Sequence, residues 1–326
     1  VSATGELAAR PLGLGGPLVS ALGLGTWAIG GPWARGWGAQ DDAESVATIH
    51  RAVELGINWI DTAPVYGDGH SEEVVGRALA RLPADARPLV FTKCGRVARP
   101  DGVFSIGDPD SLRAECDASR RRLGVDTLDL LQLHWPPQDG TTIEEAWACL
   151  DRLRAEGAAA RIGLSNVTVE QLDALEAIAH VDSLQPPLSL INRGAAMGML
   201  PWCAAHDTAA IVYSPMQAGM LTGAFDHARV AALADGDWRR SAAPFIEPAL
   251  SANLAFVERL ARIAEGLGAT PAELAIAWTL DQVGVTGAIV GGRRPEQVDG
   301  WVGAVRVSMT DDTRAAISVA LADTGA

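Results

Sequence analysis

Lysine is almost absent from this chain of 326 residues: of its 26 basic side chains only Lys93, in the stretch "FTKCG", is a lysine, and the rest are arginine. Tyrosine is nearly as scarce, with Tyr66 and Tyr213 alone. Positive charge is itself in short supply. Against 40 acidic residues it leaves a formal net charge of −14, which argues against nucleic acid or an anionic membrane surface as a partner. Cysteine is limited to Cys94, Cys116, Cys149 and Cys203. With no C-x-x-C pair and no histidine cluster beside them, these offer neither a zinc site nor a disulfide framework. No metal is expected, and the thiols read as reduced residues of a cytoplasmic protein. Long apolar runs are missing too, since none approaches the roughly 18 residues that cross a bilayer. The opening "VSATGELAARPLG" lacks a basic segment followed by an apolar core, so neither membrane insertion nor secretion is expected.

Aliphatic residues are plentiful, and a charged fraction of 20% fits a chain that buries a large core. After a β-hairpin predicted in "LAARPLGLGGPLVSAL", short apolar runs fall at 21–26, 56–61, 88–93, 128–134, 159–165, 181–185, 209–214 and 286–292. Between them lie segments of helical period, among them "DAESVATIHRAVELG", "SEEVVGRALARL", "DSLRAECDASRRRLG", "TIEEAWACLDRLRAEG", "TVEQLDALEAIA" and "PAELAIAWTLDQVG". The second and third of these open on serine or an Asp-Ser pair, and the next two on a threonine near a glutamate, all suited to N-capping. Eightfold alternation predicts an α/β fold, a (β/α)8 TIM barrel spanning 1–326 as one domain. A doubly wound sheet fits less well, because no G-x-G-x-x-G opens the first helix. Long connections follow the first strand (27–40) and the seventh (215–250), and both would lie at the C-terminal face where barrel enzymes work. They carry Trp27, Trp33, Trp37 and Trp238.

On this assignment Asp61 ends the second strand, Lys93 the third and His134 the fourth, while Tyr66 lies in the turn after Asp61. Each alone has an ordinary explanation: a turn cap, a solvated lysine, a core histidine, a packed tyrosine. A barrel, however, gathers successive strand ends around one mouth.

These residues sit in "GINWIDTAPVYGDGHSEEVVGRAL", "FTKCG" and "LDLLQLHWP", which with "GLSN", "SLQPP", "VYSPMQAGMLTG" and "IVGGRRPEQV" resemble the aldo-keto reductases in family order over nearly the whole chain. The resemblance implies a nicotinamide-dependent reductase without a Rossmann domain, with Asp61, Tyr66, Lys93 and His134 as its catalytic tetrad. A tyrosine with a pKa of about 10 is a weak acid for protonating a carbonyl oxygen. A buried ammonium beside it is expected to lower that pKa, Asp61 to keep the ammonium charged, and His134 to orient the substrate oxygen through one ring nitrogen. An arginine fork suits that contact poorly.

The same resemblance assigns cofactor contacts. Ser165, Asn166 and Gln185 correspond to the group holding the nicotinamide carboxamide, and Tyr213 to the ring stacked on the nicotinamide. Ser214, Met216 and Gly219 correspond to the pyrophosphate loop, and Gly25, Thr26 and Trp27 to the approach to ribose and substrate. Gly291, Gly292, Arg293, Arg294 and Gln297 open the helix after the eighth strand, where backbone N–H groups meet an anion. The arginine pair favours NADPH (NADP+) over NADH through a ribose phosphate. Trp27, Trp33, Trp37 and Trp135 are expected to wall a substrate pocket. Two positions depart from the pattern: Trp301 stands where an asparagine commonly faces adenine, and Leu188 stands where an aromatic is usual and would widen the pocket.

The expected activity is NADPH-dependent reduction of a small-molecule aldehyde or ketone, a sugar or sugar-derived carbonyl among the candidates. Arg239 and Arg240 in the second long loop would offset the acidic charge locally. The alternative is a nucleotide-binding regulatory subunit resembling potassium-channel β subunits, with little turnover. No feature marks an oligomeric interface.

Overall fold

The computed structural model describes residues 7–33, 36–99 and 101–326. Two short strands, β1 (Ala9–Pro11) and β2 (Leu18–Ser20), pair antiparallel as the expected hairpin. Then follow β3 (Leu22–Gly25), β4 (Trp59–Asp61), β5 (Leu89–Cys94), β6 (Arg96–Arg99), β7 (Gly102–Ser105), β8 (Leu130–Leu133), β9 (Ile162–Ser165), β10 (Ser183–Gln185), β11 (Ala209–Tyr213) and β12 (Val285–Gly291). Strands β3, β4, β5 and β8 to β12 close into an eight-stranded barrel whose neighbours are all parallel. All eight fall within or beside the apolar runs of the sequence. β6 and β7 form a second antiparallel hairpin, which the sequence reading did not contain.

Side chains alternate across a strand, so each barrel strand sends one set outward to the helices and the other inward. Outward-facing Leu24, Ile60, Val90, Leu131, Leu133, Leu164, Leu184 and Val212 join the helices in the largest buried cluster. Inward-facing Trp59, Phe91, Leu130 and Ile211 fill the lower barrel, which Leu12 and Val19 of the N-terminal segment close. Trp59 and Phe91 stack at 5.1 Å between ring centroids and are fully buried, each contributing on the order of 2–3 kcal/mol of apolar burial. Trp59 needs Gly23 beside it, because a Cβ there would lie 2.3 Å from the indole. Two residues further along the same inward face stand Asp61, Lys93 and Tyr213, with Gln132 and Gln185 on neighbouring strands. The step from an apolar to a polar layer is therefore one β repeat.

Helix termini follow cap chemistry, though not always at the expected residue. Thr142 with Glu145, Thr168 with Gln171 and Thr270 with Glu273 form capping boxes. Ser71 does not cap its helix (His70–Leu79), which starts from Gly69 in the left-handed region; its hydroxyl instead bonds Thr26 and Thr62. The helix Pro109–Leu123 is capped by Asp108, not by the Asp-Ser pair at 110–111. The helices Ala249–Gly266 and Asp311–Thr324 add to the expected set. No helix among the described residues is long and apolar enough to cross a membrane.

Candidate active site

The Lys93 side chain is completely buried, and its Nζ donates to Asp61 Oδ1 at 2.6 Å and to the Thr62 carbonyl at 2.9 Å. The second oxygen, Asp61 Oδ2, accepts from Gln185 Nε2 at 2.8 Å and from Gln132 Nε2 at 3.4 Å. Both carboxylate oxygens are thus bonded, which offsets the cost of burying the pair.

Tyr66 is brought over Lys93 by a tight turn after β4. Its backbone N–H donates to the Ala63 carbonyl, and Gly67 follows in the left-handed region at φ 67°. Here two backbones touch: a Cβ on Gly67 would lie 2.0 Å from the Gly30 oxygen, and one on Gly30 would lie 2.8 Å from the Tyr66 carbonyl carbon. The first long loop therefore holds the turn that carries Tyr66. Lys93 Nζ stands 5.4 Å from the Tyr66 ring centroid, and the His134 ring meets Tyr66 edge-on at 6.0 Å.

The electrostatics correct one expectation. Tyr66 is held well above its usual 10, by burial first and by the Asp61 charge second, rather than lowered by Lys93. Desolvation of the phenolate outweighs an ammonium placed against the ring, so the phenol is protonated at neutral pH. His134 is pushed well below 6.5 by burial, then by the charges of Lys93 and Arg96, and is neutral. Its Nδ1 is buried without a partner. An unmet donor there would be costly, which favours the proton on Nε2.

A cavity of about 660 Å³ opens at the C-terminal end of the barrel. Of the residues expected in the site, Asp61, Tyr66, His134, Gly25, Thr26, Trp27, Trp33, Trp37, Trp135, Ser165, Asn166, Gln185, Tyr213, Ser214, Met216, Gly219, Gly291, Gly292, Arg293 and Gln297 all line it. Lys93 lies behind its wall. Arg294 also stays outside the lining, mostly exposed, with Nε 3.4 Å from Glu44. Leu188 does not widen the cavity: it is fully buried in the cluster between barrel and helices. Trp301 does line it and is buried, with an unpartnered Nε1.

Several expected cofactor residues are bonded to one another. Tyr213 donates its hydroxyl to Asn166 Oδ1 at 2.9 Å, and Asn166 Nδ2 donates to the His134 carbonyl and to Ser165 Oγ. Asn166, Ser214, Gln217 and Ala218 all have positive φ, although none is glycine. Such backbone strain concentrates at ligand sites.

The two long loops meet across the mouth. Trp27 contacts Trp33, Trp37 and Trp238 edge-on at 5.3 to 6.0 Å. Arg239 lies 5.0 Å over Trp37 while pairing with Asp237, and Arg240 pairs with Asp235, so neither guanidinium carries an unopposed charge. Arg293 donates to Gln40 Oε1 and to the Ala39 carbonyl, and so holds the end of the first loop.

Sequence reasoning missed Arg96 and Val103 of the β6–β7 hairpin, as well as Phe225 and Arg229, all cavity-lining. The "PDG" before "VFS" is a turn signal for that hairpin. Gln132 was missed although the period-2 rule places it on the face of His134.

A family model, the aldo/keto reductase family, matches residues 21–321. The aldo-keto reductase YhdN of Bacillus subtilis is 34% identical over 282 residues, 86% of this chain and 83% of its own. The NADH-specific methylglyoxal reductase of Escherichia coli is 34% identical over 316 residues, 92% of this chain and 94% of its own. The solved glycerol dehydrogenase of Gluconobacter oxydans superposes with a TM-score of 0.87 at 38% identity, covering 99% of this chain and 96% of that one. With the buried Lys93–Asp61 pair beneath Tyr66 and His134 at the mouth of a closed parallel barrel, these likenesses establish that the chain belongs to the aldo-keto reductase family.

Proposed function

We propose that the chain reduces a small polyhydroxylated aldehyde or ketone with NADPH, Tyr66 supplying the proton. The observation that carries this reading is the fully buried Lys93–Asp61 ion pair directly beneath a Tyr66 held in its protonated form.

The walls suit a nicotinamide dinucleotide: Gln185 offers its amide and Tyr213 its ring, while Arg229 and Arg293 line the same cavity where phosphates need cations. When bound, the nicotinamide supplies the hydride. Neutral His134 donates from Nε2 to the carbonyl oxygen and fixes its position. Tyr66 passes its proton to that oxygen as negative charge builds there. Lys93 stabilises the phenolate left behind, and Asp61 holds the ammonium in place.

The aromatic wall of the cavity suits a sugar-like substrate. The indole rings of Trp27, Trp33, Trp37 and Trp238 line the cavity from the two long loops. The C–H faces of sugar-like chains pack on indole rings.

Coenzyme choice is argued from the arginine pair. Arg293 is engaged with the first loop, which leaves exposed Arg294 as the guanidinium able to turn to a ribose phosphate. One relative is named NADH-specific and another, of Schizosaccharomyces pombe, is named for NADP+. Loss of reduced-nicotinamide absorbance is followed with NADPH and NADH, against glyceraldehyde, dihydroxyacetone and their deoxygenated analogues. Preference for NADPH that drops about tenfold in Arg294→Ala, with faster turnover of the hydroxylated carbonyls, is the expected result. Equal use of both coenzymes, or preference for the deoxygenated set, sinks the corresponding part.

A further inference from the structure

We infer that Gln132 is a positioning residue: it holds the Gln185 side-chain amide so that an acceptor, not a donor, faces the nicotinamide carboxamide. The inference rests on the proposed cofactor site. Gln132 is fully buried on β8 and does not line the cavity. Its Oε1 accepts from Gln185 Nε2 at 3.1 Å, and its Nε2 donates to Asp61 Oδ2 at 3.4 Å.

The directions of these bonds are forced. Asp61 is bonded to Lys93 through Oδ1, so the buried Oδ2 needs donors, and it takes them from both glutamines. Flipping the Gln132 amide would set its oxygen against the carboxylate and its nitrogen against the nitrogen of Gln185. With Gln132 fixed, the two hydrogens of Gln185 Nε2 have one acceptor each, Asp61 Oδ2 and Gln132 Oε1. Gln185 Oε1 has no partner among the described residues, and Gln185 lines the cavity. An amide oxygen presented there accepts from the –NH2 of a carboxamide and has nothing to offer an acetyl group in its place.

The test is calorimetric binding of NADP+ and of its 3-acetylpyridine analogue, which lacks that –NH2, to the parent, Gln132→Met and Gln132→Glu. In the parent NADP+ binds more tightly than the analogue. Methionine removes one of the two acceptors that orient Gln185, so the ratio of the two dissociation constants falls about fivefold, one neutral hydrogen bond's worth. Glutamate beside Asp61 takes up a proton, because two carboxylates in contact do not both ionise. Protonated, it accepts from Gln185 and donates to Asp61, which restores the parent ratio. A folded Gln132→Met that keeps the parent ratio, or loses both ligands equally, overturns the inference, as does a Gln132→Glu whose ratio matches that of Gln132→Met. Failure of the parent to bind either coenzyme overturns the cofactor reading instead.

Discussion

Replacing Lys93 is felt in folding as well as in chemistry. Methionine keeps the length of the stem but removes the cation bonded to a nearly buried Asp61. An uncompensated buried charge costs about 3–5 kcal/mol, which a denaturant titration reads as a lower midpoint with unchanged slope. Adding Asp61→Asn to Lys93→Met should recover most of that loss while leaving the protein inactive. If the double variant is less stable than Lys93→Met, the pair is not the coupled unit described. Two other buried groups make stability depend on pH with opposite signs. His134 is depressed well below 6.5; the unfolded chain binds its proton first, so stability drops as pH falls below about 6.5. Glu115, which accepts from the Gly95 N–H, is raised by burial to about 7. Its contribution is present in full below the unfolded value near 4.5 and is lost as pH rises through about 7. Between pH 5 and 8 the melting temperature should therefore rise more steeply with pH when Glu115→Gln removes the opposing contribution, and fall with rising pH in His134→Gln, where the Glu115 contribution is left alone.

At the scale of the element, the turn that carries Tyr66 depends on contact with the first long loop. Gly67→Ala brings a Cβ to 2.0 Å from the Gly30 oxygen at a φ of 67°, so one backbone must move. Tyr66 moves with it, and a misplacement of about 1 Å costs on the order of a hundredfold in rate. The check is kcat for Gly67→Ala against its Tm: a large loss of stability with full activity in the folded fraction would contradict this placement. The strands of the barrel were legible because each is a short buried run bounded by turn residues, and the tetrad positions because they lie at the ends of those runs. The β6–β7 hairpin was not, since Arg96, Val97, Ala98 and Arg99 are only partly buried to exposed and show no clean alternation. The helix Asp311–Thr324 buries only Thr313, Ile317 and Ala320, too thin a stripe to read as a helical face. Ala249–Gly266 has a full apolar stripe but begins where the long loop was expected to end. The raised Tyr66 was beyond the sequence for a different reason: motif spacing places Lys93 near the ring, whereas the pKa depends on how much water burial removes.

At the scale of the molecule, the protein carries net charge −14 yet lines its cavity with Arg96, Arg229, Arg239 and Arg293. Asp61 is the one acidic residue among the described lining, and Lys93 is bonded to it. Arg239 is paired with Asp237, while Arg229 and Arg293 come from connections of the C-terminal face, where an anionic coenzyme would enter. In the function proposed above, this mouth binds a nicotinamide coenzyme and Tyr66 completes the transfer with a proton. The most direct measurement is a single turnover: enzyme saturated with NADPH is mixed with glyceraldehyde, and the absorbance of the reduced nicotinamide is followed for the parent and for Tyr66→Phe. Rapid oxidation is expected in the parent and a rate lower by about 10²- to 10⁴-fold in Tyr66→Phe, with NADPH affinity retained. Equal rates in the two proteins, or bound NADPH that no carbonyl oxidises, would contradict it.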